Sequence, residues 1–278
     1  MKFYTVIGEK LTHSWSGPIH ELFFRLTGIE GAYKRMEVPR DRILDVVNAM
    51  KLVGISGINV TMPYKKSILP SLDGLDELAR RVGAVNTLKL EADGRVTGHN
   101  SDVFGLKRTL DRHGVSLDGG VCAILGGTGG VTSAAAEVMR DAGIKTLYLV
   151  SRHPGPDSDL PMPCAHWLTY DQLPEVRGAL LINGTPVGMY PNGDVAPVSD
   201  EITAHFDAVL DTIYNPLPTL LVRRARERGR MGIDGFYMLV AQAVHSQEIW
   251  QERTFDTALI DAIYGELKTK LEVNCEPW

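Results

Sequence analysis

Read for apolar and polar positions, the first hundred residues alternate short apolar runs with helical stripes. Residues 3–7 (F-Y-T-V-I) predict a strand. Ile19, Leu22, Phe23 and Leu26 recur at helical spacing and predict a helix that Gly28 stops. The run A-Y-K-R-M-E-V predicts a second strand, and Asp41 to Met50 a helix. Ile55, Ile58 and Val60 predict a strand that carries Asn59 and Thr61, and Pro63 suits the first position of a following helix. Residues 81–90 read as one more apolar strand, bearing Asn86 and Thr87. After a turn at Gly94, Asn100 or Ser101 can cap a helix whose stripe is Val103, Leu106 and Leu110.

The second half opens on the most pronounced pattern in the chain, V-C-A-I-L-G-G-T-G-G-V-T-S-A-A-A-E-V-M-R-D-A-G. Val121–Leu125 has the composition of a buried parallel strand. Val131, Ala134, Ala135, Val138, Met139 and Ala142 form one helical stripe, with Gly143 at the C-terminal cap position. Between them Gly127, Thr128, Gly129, Gly130 and Val131 make a turn almost free of side chains. That turn would lay backbone N–H groups and a helix N-terminus against a pyrophosphate. The pattern is G-x-G-x-x-T, so the third glycine of the usual fingerprint is absent, and a tight turn without a ligand is the plainer alternative. Leu147–Val150, Ala179–Ile182 and Ala208–Leu210 predict further parallel strands. The last two end in the polar tails N-G-T-P-V-G-M and D-T-I-Y-N-P, which lie where ligands of such sheets bind. Ser151 and Arg152 stand where an NAD enzyme has an acidic residue, and an arginine there suits a 2′-phosphate. His153–Pro163 is expected to be a loop.

Composition narrows the class. With 278 residues, 44% of them hydrophobic, the chain fits two modest domains or one large one. A net charge of −5 argues against nucleic acid as a partner. The cluster of Arg223, Arg224, Arg226, Arg228 and Arg230 reads as the solvated face of a helix. Cys122, Cys164 and Cys275 show no metal or disulfide spacing, which fits a reduced, cytoplasmic compartment. No run is long enough to span a bilayer, and no apolar leader opens the chain. His13, His20 and His99 have no ligand-like spacing and are expected to be structural or surface residues.

A few polar residues carry candidate chemistry. Ser16 has an ordinary explanation as a helix N-cap; with Ser14 it could also hold a carboxylate. Lys65 falls in the first turn of its helix, where the dipole disfavours a cation and would turn a desolvated lysine towards acid–base use; a plain surface lysine is the alternative. Asp102 opens a helix, which favours the carboxylate. Gln242 shares a helix face with Met238, Ala241, His245 and Ile249 and needs a partner there.

Taken in order, these pieces resemble the shikimate dehydrogenase family over nearly the whole chain. V-I-G…H-S-W-S is similar to its opening motif, G-I-N-V-T-M-P-Y-K to G-x-N-V-T-x-P-x-K, and G-H-N-S-D to G-x-N-T-D. G-G-T-G-G stands for its G-A-G-G loop and S-R-H for its N-R-T motif. A-V-N-T, I-N-G-T-P-V-G-M, D-T-I-Y-N-P-L-P-T and M-L-V-A-Q complete the series. The resemblance implies an α/β fold of two parts. One is an N-terminal α/β substrate domain, residues 1–103 with C-terminal helices 236–278 returning to it. The other is a Rossmann-type, doubly wound parallel-sheet cofactor domain, residues 104–235, with a cleft between the two. It implies Lys65 and Asp102 as the catalytic pair and Ser14, Ser16, Asn59, Thr61, Asn86, Tyr214 and Gln242 as substrate residues. It also implies a cofactor site of Gly127, Thr128, Gly129, Gly130, Val131, Ser151, Arg152, Thr185 and Gly235. The implied activity is reversible, NADPH-dependent reduction of 3-dehydroshikimate to shikimate, without a metal, in a monomer or homodimer. Gly17 replaces the family's proline after Ser16, which leaves room for quinate; Ser151 and His153 flank Arg152 in place of asparagine and threonine, which leaves room for NAD. From another class, a nucleotide sensor could use the same scaffold.

Overall fold

The computed structural model describes residues 1–273 except His13 and Thr128. The chain divides into two compact units, Met1–Gly105 with the segment from Leu239 onward, and Leu106–Met238.

The first unit is built on a six-stranded mixed sheet. Its elements are β1 (Lys2–Gly8), α1 (Ser16–Thr27), β2 (Gly31–Glu37), α2 (Val46–Val53), β3 (Gly57–Val60), α3 (Tyr64–Ser67), β4 (Gly74–Leu75), α4 (Glu77–Val82), β5 (Thr87–Leu90) and β6 (Val96–His99). The strand order is β2-β1-β3-β5-β6-β4. β1 runs parallel to β2 and β3, whereas β5 pairs antiparallel with β3 and β6. Ile7, Met50, Ile58, Val60, Tyr64, Ile68, Leu88 and Val96 fill the core beneath it, each worth roughly 1.5–3 kcal/mol of apolar burial.

Several expectations shift by local rules. Residues 81–90 are not one strand: Arg81 and Val82 end α4, Gly83 leaves it in the left-handed region at φ 67°, and β5 starts at Thr87. The apolar run had hidden a helix C-cap, which only a glycine there supplies without strain. Asp41–Met50 is a 3₁₀ turn (Arg40–Asp45) followed by α2. Leu26, counted in the stripe of α1, is exposed, so that helix buries a narrower face. Pro63 occupies the N-cap position of α3 rather than its first residue.

The second unit carries a wholly parallel sheet. After α5 (Asp102–Arg112), which crosses the boundary, come β7 (Val121–Leu125), α6 (Gly130–Asp141), β8 (Thr146–Val150), β9 (Ala165–Leu168), β10 (Gly178–Asn183), α7 (Asp200–Ala204), β11 (Phe206–Asp211), α8 (Leu220–Glu227) and β12 (Met231–Ile233). Their order is β12-β11-β10-β7-β8-β9. From β7 the chain winds one way through β8 and β9, then returns to β10 and winds the other way. The C-terminal ends of β7 and β10 are therefore the switch point of a doubly wound sheet, the place where such sheets bind ligands. Cys122, Ala123, Ile124 and Leu125 are fully buried, as a strand covered on both faces requires. The arginine-rich stretch lies on and just after α8, and its members pair with acids: Arg224 with Asp200, Arg230 with Asp207. α9 (Phe236–Gln251) crosses back to the first unit, and α10 (Thr257–Val273) packs on α1. Short β4, β6, β9 and β12 are not read from the apolar pattern.

Candidate active site

Lys65 and Asp102 meet although 37 residues separate them. The Lys65 Nζ lies 2.6 Å from Asp102 Oδ2, and the two side chains are only 12% and 8% exposed. The backbone brings them together: Val85 N–H donates to Lys65 O at 2.9 Å and Asn86 N–H to His99 O at 3.0 Å. α3 has four residues, too short for a dipole argument; the carboxylate holds the ammonium instead. Asn100 Oδ1 accepts the Asp102 N–H, which leaves the Ser101 hydroxyl free of capping duty.

Around this pair lies a buried polar cluster. Asn86 Nδ2 donates to Asp102 Oδ1 at 2.9 Å and to Gln242 Oε1 at 3.3 Å, while Asn86 Oδ1 accepts from Ser101 N–H at 2.7 Å. The Ser101 hydroxyl also donates to Gln242 Oε1 at 3.1 Å. Gln242 thus has the partners its apolar helix face demanded, and Leu239 O accepts from its amide. Ser246, one turn further along α9, joins the Thr87 hydroxyl at 2.8 Å. Such a cluster is stable in the interior because each member satisfies another.

Asn59 is saturated by protein. Its amide nitrogen donates to Asn86 O, Thr87 Oγ1 and Ser246 Oγ, and its Oδ1 accepts from the Tyr33 hydroxyl (2.7 Å) and His20 Nε2 (3.2 Å). Like Asn86, it is engaged by protein on both ends of its amide. His20, expected to be structural or on the surface, is buried and takes a hydrogen bond from Gln247 on its other nitrogen. Burial pushes its pKa down to about 3 against the opposing bond to Asn59, so the ring is neutral. An Oδ1 can only accept, which places the proton on Nε2. Ser16 is not the N-cap of α1: Trp15 holds that position, and Ser14 Oγ accepts the Ser16 N–H at 3.4 Å. The Ser16 hydroxyl bonds Tyr33. Thr61 is half-buried, in the turn between β3 and α3 that leads to Lys65. Sequence reasoning missed Tyr33, Gln247 and Ser246; Ser246 was within reach, since it repeats the Gln242 position at i+4.

The glycine turn lies in the second unit, at the end of β7. Gly129 is the N-cap of α6 and Gly130 its first residue, and no side chain caps the helix. The Gly129 and Thr132 N–H groups bond Gly126 O and Gly129 O, which leaves those of Gly130 and Val131 to face an anion. A side chain at Gly127 would strike the Trp167 ring at 2.9 Å and Leu149 at 3.0 Å, so the backbone there must be bare. Val131 follows in the first turn; Thr128 lies outside the described residues. Ser151 and His153 close a small turn on each other, which leaves Arg152 exposed at its tip. Thr185 is held by Asn183 Oδ1, and Tyr214 follows β11 half-buried. At Gly235 a Cβ would lie 2.3 Å from Thr212 O, so the chain passes there only as glycine. The bare turn, uncapped helix and exposed arginine fit a dinucleotide bearing a 2′-phosphate.

The family model for the shikimate dehydrogenase substrate binding domain matches residues 6–88. A shikimate dehydrogenase (NADP(+)) of Clostridium beijerinckii is 39% identical over 265 residues, 95% of this chain and 97% of its own. The chain belongs to the shikimate dehydrogenase family. Among solved structures, shikimate dehydrogenase 1 of Peptoclostridium difficile superposes with a TM-score of 0.89 at 41% identity, covering 98% and 99% of the two chains. The Thermus thermophilus shikimate 5-dehydrogenase in complex with NADP(H) and shikimate matches with a TM-score of 0.84 at 27% identity, covering 96% and 99%. The two-part α/β architecture with a Rossmann-type sheet is that of the family. Among the described residues, no helix is long and apolar enough to cross a membrane, and no group of histidines, cysteines and acids could hold a metal.

Proposed function

We propose that the chain catalyses the reversible NADP-linked interconversion of 3-dehydroshikimate and shikimate, with Lys65 and Asp102 as its acid–base pair. The 2.6 Å ion pair within a buried polar cluster is the observation that carries this reading. When bound, NADPH supplies the hydride. Lys65 then donates its proton to the reacting oxygen, and in the reverse direction takes it back. Asp102, the first residue of α5, aims the ammonium and is itself held by the Asn86 amide just before β5. Gln242 and Asn86 present amides to the substrate hydroxyls, and Ser14, Ser16 and Thr61 line the carboxylate end. Gly127, Gly129, Gly130 and Val131 would hold the pyrophosphate, Arg152 with Ser151 would take the 2′-phosphate, and Thr185 and Gly235 would serve the nicotinamide half.

This assignment makes the first unit the substrate domain and the second the cofactor domain. Both ligands are small polar molecules of central metabolism, which suits a cytoplasmic enzyme. One assay of the purified protein, shikimate and quinate each with NADP and NAD, tests the whole reading. Shikimate with NADP is expected to turn over fastest. Nucleotide binding without turnover of either acid would make the protein a sensor, and a quinate preference would reassign the substrate.

A further inference from the structure

Asp211 is a fully buried acid that the reaction leaves unused. It ends β11 with no exposed surface, and three donors converge on its carboxyl. Thr219 Oγ1 donates to Oδ2 at 2.7 Å, while Asn183 Nδ2 (2.9 Å) and Ile213 N–H (3.1 Å) donate to Oδ1. Each donor belongs to a different piece of the binding edge. Asn183 ends β10, and through its own Oδ1 it fixes both the N–H and the hydroxyl of Thr185, while its amide also reaches Val187 O. Ile213 precedes Tyr214. Thr219 caps α8, accepting the Val222 N–H. One side chain thus gathers the loop after β10, the loop after β11 and the start of the next helix.

We propose that Asp211 is a positioning residue that locks the Thr185 loop and the Tyr214 loop to each other, and so shapes the nicotinamide side of the cofactor site. The lock rests on the proposed function for its ligand, but its geometry stands without it. A bare structural acid would need only to satisfy its own oxygens. Here the bonds continue outward, from Asp211 through Asn183 to Thr185, along a path of interior contacts. The charged group facing this carboxyl is Asp234 beyond β12, itself paired with Arg226 from α8 at 3.8 Å. Burial raises the Asp211 pKa to about 6 against the three hydrogen bonds, with Asp234 adding to the rise.

The test compares Asp211→Ala with Asp211→Asn in the full chain. NADPH affinity is read by the quenching or enhancement of nucleotide fluorescence, and loop order by hydrogen–deuterium exchange without ligand. Asp211→Ala is expected to raise the NADPH Kd about tenfold, the scale of one hydrogen bond to a charged group. Exchange should quicken in residues 184–189 and 212–218 together while β10 and β11 stay protected. Asp211→Asn should fall within about twofold of wild type, because its oxygen still accepts from Asn183 and Ile213 and its amide can donate to Thr219. Should the alanine variant not fold, Asp211→Ser, which keeps one small acceptor in the space, is read in the same way. Wild-type affinity in the alanine or serine variant overturns the proposal. So does quickened exchange in one loop alone, or throughout the unit. A wild type that binds no NADPH would refute the cofactor assignment, and the exchange pattern would still decide the lock.

Discussion

The Lys65 ammonium and the Asp102 carboxylate lie in contact and largely buried, so each depends on the other. Replacing Lys65 by alanine should lower kcat by about 10²–10⁴-fold, the usual range for a positioned acid–base group. Shikimate affinity should move much less, since Asn86 and Gln242 remain. Asp102→Asn should cut turnover as well, because it nearly keeps the shape and removes the charge that aims the lysine. In the double variant the losses should not add, as expected of groups that act as a unit. Steady-state kinetics on variants shown to be folded by circular dichroism check all three; a folded Lys65→Ala enzyme near the wild-type rate would leave Lys65 a binding residue only. Arg152 offers a second test. It is exposed at the tip of its turn, so Arg152→Ala should raise the KM for NADP severalfold and leave that for NAD nearly unchanged. Equal losses with both cofactors would give Arg152 a structural task.

At the scale of elements, legibility followed length and periodicity. The long parallel strands and α6 could be read because buried strands are apolar throughout and amphipathic helices repeat every 3.6 residues. The end of α4 could not, since Arg81–Leu90 is apolar enough to pass for one strand until Gly83 turns it. Lys65 and Asp102 were visible as residues, but their contact was not. It depends on the pairing of Thr87 with His99 across β5 and β6, which sets the register of both flanking segments. The buried partners of Asn59 were invisible for the same reason: His20, Tyr33 and Ser246 come from three elements. Gly235 marks a close approach of this kind. Gly235→Ala would press a methyl onto Thr212 O, so the strand-to-helix connection must shift. A loss of about 1–3 kcal/mol is expected, the range for overpacking, with weaker NADPH binding. Denaturant titration and nucleotide binding measure the two effects; a variant with wild-type values in both would show that the backbone gives way there freely.

On the scale of the whole molecule, two buried groups bend the stability curve in opposite senses. His20 in the first unit has its pKa lowered from 6.5 to about 3, chiefly by burial. Between those values the unfolded chain holds a proton that the folded chain lacks. Stability contributed by neutral His20 is therefore complete above about pH 6.5 and is lost as pH falls towards 3. At about 1.4 kcal/mol per pH unit the ceiling is near 5 kcal/mol. Asp211 in the second unit is raised from 3.8 to about 6, again chiefly by burial. Over that window the folded chain holds the extra proton, so its contribution grows on acidification, by at most about 3 kcal/mol. Where the windows overlap the two slopes oppose each other, and the wild type should vary little on their account. Removing one group should expose the other. Relative to wild type, Asp211→Asn should lose stability as pH falls from 7 to 4, because only the wild type gains from protonating that acid. His20→Gln should do the reverse over the same range, since it has no imidazole to be charged. Urea titrations of the three proteins at pH 4, 5, 6 and 7 read the differences directly. Parallel curves for wild type and Asp211→Asn would mean that the Asp211 carboxyl titrates alike in the folded and unfolded chains.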